Sequence, residues 1–145
     1  MKQLTSYNRV AGYLNKLFDL LNGHYFENAL TRPTITIQST PRAYGHFSTR
    51  DDTWVSVTGN SNEINIGAGT LSRPIENVCA TLLHEMCHYY CHVNGIKDTS
   101  RGNTYHNKRF KEIAESHGLI VGHDEKYGWT LTSPSDDLIE FILQN

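Results

Sequence analysis

A chain of 145 residues with 38% hydrophobic content and a formal charge of −2 is one domain's worth of sequence. It can bury a core, and its composition is neither that of a disordered chain nor that of a strongly basic one. No apolar run approaches the roughly 20 residues that span a bilayer, and Met1-Lys2-Gln3-Leu4 lacks a signal-peptide core, so a cytoplasmic monomer without a membrane partner is expected.

Taken in chain order, Leu4, Tyr7, Val10, Leu14, Leu17, Phe18 and Leu21 recur at helical spacing before Asn22-Gly23, which predicts an amphipathic helix over 4–22. After Pro33, the alternating run Thr34-Ile35-Thr36-Ile37-Gln38 predicts a strand. Ala43 to Ser48, Trp54 to Val57 and Glu63-Ile64-Asn65-Ile66 have the same character, the last after a Gly/Asn/Ser turn. A second helix is predicted over about 74–94, with Pro74 in its first turn, Ser72 as its cap and Asn94-Gly95 as its stop. A loop from Gly95 to Thr104 leads to a third helix over 105–117, ended by Gly118. The tail holds a short strand around Trp129-Thr130-Leu131 and a helix from Ser135 to Leu143. These elements describe an α+β domain filling residues 1–145, with a small, mostly antiparallel sheet.

The second helix carries the most informative pattern, His84-Glu85-Met86-Cys87-His88, an H-E-x-x-H. With eight His and eight Glu in the chain, chance alone would supply one such motif roughly 2% of the time. Residues i and i+4 lie one above the other on a helix, so two imidazoles can share one zinc ion, and the intervening glutamate can reach a water beside it. At about 100° per residue, Val78, Cys79, Leu82, Leu83, Met86, Tyr89, Tyr90 and Val93 form a core stripe, and His84, Glu85, His88 and His92 gather opposite. Cys79, Cys87 and Cys91 all fall on this helix, an odd number with no disulfide framework. Small buried hydrophobes are the expected role for all three, with Cys87 and Cys91 near enough to the histidine face to support it.

A catalytic zinc usually has three protein ligands and keeps one position open. His92 stands about 12 Å along the axis from His84, too far to share an ion. The continuation to a third histidine six residues after the motif would need Gly at 91 and His at 94, where the chain has Cys91 and Asn94. His106, His117 and His123 remain, as do Glu112 and Glu115 of the third helix. His106 stands at the start of that helix, just beyond a glycine-containing loop, where it can fold back on the motif helix; His117 lies about three turns further along, and Glu112 or Glu115 would complete a different site.

The sequence resembles the SprT-like zinc metallopeptidases, which include the bacterial SprT proteins and the Spartan protease. The resemblance rests on Leu17-Phe18-Asp19-Leu20-Leu21-Asn22, Tyr25-Phe26-Glu27-Asn28-Ala29-Leu30 and Ala43-Tyr44-Gly45-His46-Phe47. It continues through Glu63-Ile64-Asn65-Ile66 and the motif from Leu82 to Tyr90. Last comes Tyr105-His106-Asn107-Lys108-Arg109-Phe110-Lys111, where the family places a histidine four before a phenylalanine. It implies a minimal zincin-like domain with one catalytic zinc on His84, His88 and His106, and Glu85 as general base. It also implies action on proteins trapped on DNA, with single-stranded or damaged DNA as a partner and nucleoid association as a consequence. The cysteine-rich zinc ribbon that many relatives carry after this domain has no counterpart in these residues.

A structural zinc module would want four ligands and would leave Glu85 unexplained, and a zinc hydrolase of a small substrate needs the same residues. Tyr105, Tyr90, His92 and Arg101 are candidates to stabilise an oxyanion, although tyrosines in such positions more often pack. Lys97, Arg101, Lys108, Arg109 and Lys111 concentrate positive charge beside the motif. Arg42 and Arg50 flank Tyr44 and Phe47, an aromatic-basic mixture that suits single strands.

Overall fold

The computed structural model describes residues 2–38, 44–50, 53–56, 59–102 and 104–145, and for residues 2–9, Trp54 and Ser56 the backbone alone. The sequence expectations for Arg42, Ala43 and Val57, and for the side chains of Leu4 and Tyr7, lie outside that description. The chain forms two compact units, one reaching to Thr70 and the other covering Leu71–Asn145.

The first unit opens with helix α1 (Lys2–Phe26). Leu14, Leu17, Phe18 and Leu21 are buried along one stripe, as the 3.6-residue period requires. Asn22-Gly23 does not end the helix as predicted. The Asn22 side chain instead donates to Leu30 O and accepts from Leu30 N, tying down the returning chain. The helix runs on to bury Phe26 and stops where Glu27 and Asn28 take positive φ. Strands β1 (Thr34–Gln38), β2 (Gly45–Phe47) and β5 (Glu63–Gly67) form a sheet in the order β1-β5-β2. β2 pairs antiparallel with β5, and β1 pairs parallel with it, Thr34 opposite Glu63 through Gln38 opposite Gly67. Ile64 and Ile66 are fully buried. Strands β3 (Trp54–Ser56) and β4 (Gly59–Ser61) make a separate hairpin.

The second unit is built on helix α2 (Ile75–Val93). Pro74 occupies the cap position, with its carbonyl accepting from Asn77 N and Val78 N, so the expected Ser72 cap is not used. The Asn94-Gly95 stop is used, Gly95 taking φ +66°. Strands β6 (Thr99–Ser100) and β7 (Tyr105–His106) precede helix α3 (Lys108–Ser116). Strands β8 (Leu119–Asp124) and β9 (Gly128–Pro134) and helix α4 (Asp136–Gln144) complete the unit. The sheet order is β6-β7-β9-β8, antiparallel except for β7 beside β9. Helix α2 packs against β9, α3 and α4, burying Cys79, Leu82, Leu83, Met86, Phe110 and Leu138 completely. The architecture is α+β, with four helices and small mixed sheets among the described residues. None of these helices is long and apolar enough to cross a membrane.

Candidate metal centre

On α2 the apolar stripe turns inward, leaving His84 and His88 half-buried one turn apart on the opposite side. His106 reaches them from β7. The third helix was expected to begin at 105 and to carry this histidine, but it begins at Lys108 because Asn107 caps it. The Asn107 carboxamide oxygen accepts from Arg109 N and Phe110 N. His106 is held in β7 instead, its N–H donating to Tyr127 O at 2.8 Å opposite Gly128 of β9.

The three imidazoles converge through their Nε2 atoms. His88 Nε2 lies 3.3 Å from His84 Nε2 and 3.0 Å from His106 Nε2. One ligand atom from each residue falls within 4.8 Å of the others. Tetrahedral ligands at about 2.1 Å from zinc stand about 3.4 Å apart, so the spacing fits one small cation. A single proton can bridge only two of these nitrogens, whereas a cation satisfies all three lone pairs. Among the described residues, this is the group of His, Cys, Asp and Glu that can hold a metal ion.

The far ring nitrogens fix two of the rings. His88 Nδ1 meets Asp98 Oδ2 at 2.6 Å, and a carboxylate can only accept, so Nδ1 donates and Nε2 keeps its lone pair. His84 Nδ1 meets Thr132 Oγ1 at 2.9 Å. His106 Nδ1 is buried without a hydrogen-bond partner, alone in this among the described residues' buried side-chain polar atoms. Phe110 lies under all three, its ring stacked on His88 at 4.4 Å and 4.8 and 5.0 Å from His84 and His106.

Burial holds His84 neutral, helped by His88 and His106, and it lowers His106 to about 4, with His88 adding to the effect. A metal needs neutral imidazoles, so both shifts favour binding. Glu85 is buried beside them, and loss of solvation lifts its carboxyl to about 7 against the opposing pull of His88. Neither Cys87 nor Cys91 points to ligand chemistry. Both are fully buried, and burial drives their thiols up, Cys91 to about 12, which is the core role expected of them.

The alternatives for the third ligand lie elsewhere. His117 bonds Ile113 O and packs on Tyr90 at 5.1 Å. His123 is on β8, against Tyr105 and Trp129. Glu112 and Glu115 are exposed, and Glu115 pairs with Lys111. Of the oxyanion candidates, Arg101 sits over the Tyr105 ring at 4.3 Å, and the Tyr105 hydroxyl meets His123. His92 is half-buried on the last turn of α2 and outside the histidine cluster.

The model of the SprT-like family matches residues 14–126. The chain belongs to the SprT-like family. Comparison with curated proteins and with solved structures gives no match. The SprT-like match takes in all three histidines and Glu85, and stops short of β9. Sequence reasoning missed Asp98, Thr132 and Gly128, because contacts made across a fold leave no spacing to read.

Proposed function

We propose that the protein is a zinc-dependent metalloendopeptidase that cleaves DNA-associated or DNA-crosslinked proteins. The observation that carries this reading is the convergence of three Nε2 atoms next to a buried carboxylate on the same helical turn. His84, His88 and His106 are the metal ligands. Zinc held there would supply Lewis acidity toward the scissile carbonyl and the attacking water. Glu85 takes the proton from that water onto its carboxylate and delivers it to the leaving amine. Its position on the motif helix, buried between the two histidines in sequence, supports this role. Asp98 keeps His88 in the tautomer that presents Nε2.

The DNA-linked substrate class rests on the family resemblance. Exposed Lys97, Arg101, Lys108 and Arg109 support it as a basic surface. Phe47 does not contribute a stacking face, because it is buried.

The test is zinc content per chain after dialysis for wild type and His106→Ala, followed by proteolysis assays of wild type and Glu85→Gln with and without single-stranded DNA. About one zinc in wild type, less in His106→Ala, and no cleavage by zinc-loaded Glu85→Gln are the expected results. Full occupancy in His106→Ala displaces the third ligand, and cleavage by the Glu85→Gln protein removes the general-base assignment.

A further inference from the structure

Two of the three imidazoles are aligned from the same strand, and that strand lies beyond the residues the family match covers. Thr132 of β9 places its hydroxyl 2.9 Å from His84 Nδ1. Four residues earlier, Gly128 lies opposite His106 in the parallel pairing of β7 with β9. Gly128 has φ +77°, and a Cβ there would collide with the His106 carbonyl oxygen and come within 2.9 Å of the Tyr105 ring. The adjacent Tyr127 carbonyl accepts the His106 N–H. This backbone support matters because His106 Nδ1 has no side-chain anchor of its own.

We propose that β9 is the alignment strand of the metal centre, with Thr132 the positioning residue for His84 and Gly128 the position that admits His106. The proposal rests on the three-histidine metal reading. For His84 to offer Nε2 to a cation, Nδ1 must carry the proton, and Thr132 Oγ1 is the acceptor that holds it. A valine there keeps the branched shape and removes the acceptor, whereas serine keeps the acceptor and removes a methyl.

The experiment is zinc titration against a chelator for wild type, Thr132→Val, Thr132→Ser and His88→Ala, together with solvent exchange of the His84 Nδ1 proton by NMR in the zinc-loaded proteins. Thr132→Val should bind zinc about 10–100-fold more weakly, as loss of such a partner typically costs, and Thr132→Ser should recover most of that. The Nδ1 proton should exchange slowly in wild type and Thr132→Ser and fast in Thr132→Val. Equal affinity and equal exchange in wild type and Thr132→Val overturn the proposal while leaving the metal reading intact. Weak binding by wild type itself, no tighter than His88→Ala, overturns the metal reading. If Thr132→Val does not fold, slow exchange in wild type and Thr132→Ser supports the proposal, and fast exchange in both overturns it.

Discussion

Removing the Asp98 carboxylate should loosen the metal without touching a ligand. The bond from His88 Nδ1 to Asp98 Oδ2 is short, 2.6 Å, and the two side chains are only 14% and 17% exposed, so solvent screens it little. A hydrogen bond to a charged group contributes about 1.5–3 kcal/mol. Loss of a carboxylate behind a metal-bound histidine typically costs about 10–100-fold in affinity, which is about 1.4–2.7 kcal/mol. The two routes agree. Asp98→Ala should therefore weaken zinc binding by one to two orders of magnitude. Asp98→Asn, which keeps an acceptor but not the charge, should fall between it and wild type. Competition with a chromophoric chelator measures this, with circular dichroism to confirm that the helices remain. Wild-type affinity in a folded Asp98→Ala protein would refute the reasoning, since His88 would then need no anchor.

Phe110 is fully buried beneath the three imidazoles, so Phe110→Ala should cost about 3–5 kcal/mol in urea unfolding of the metal-free protein; a loss below about 1 kcal/mol would show that the site collapses without it. Asn107 caps α3 and also donates to Lys97 O and Ser100 Oγ, so Asn107→Ala should cost about 1–2 kcal/mol, with Asn107→Asp restoring the cap but not the donors. In the metal-free protein His84 and His106 are held below their ordinary 6.5, His106 at about 4. Below 6.5 the unfolded chain takes up protons that the folded one refuses. Glu85 opposes this, because its carboxyl, lifted to about 7, holds a proton in the folded state that the unfolded chain lacks, but it offsets only one of the two histidines, so stability should still fall as pH drops from about 6.5 toward 4. Denaturant midpoints across that range check the sign, and a rise on acidification contradicts it.

The α+β class, the motif helix and its partition into a core face and a histidine face are legible in the chain, because a helical period is written into consecutive residues. The placement of His84, Glu85 and His88 follows from that period alone. His106 was legible only with help, since it stands 18 residues from His88 across a loop, and its choice over His117 and His123 leaned on resemblance. Folding places His106 on a strand rather than a helix, because Asn107 captures the helix start for itself. Strand β8 emerges only in the fold as well. Leu119 and Val121 are buried about an exposed Ile120, an alternation short enough to pass for a loop. The parallel pairing of β1 with β5 likewise joins segments about thirty residues apart, which no local pattern specifies. Asp98, Thr132 and Gly128 share that origin. Each acts on a histidine through a contact that exists only once distant segments meet, and such contacts are fixed by packing and hydrogen-bond geometry rather than by spacing along the chain.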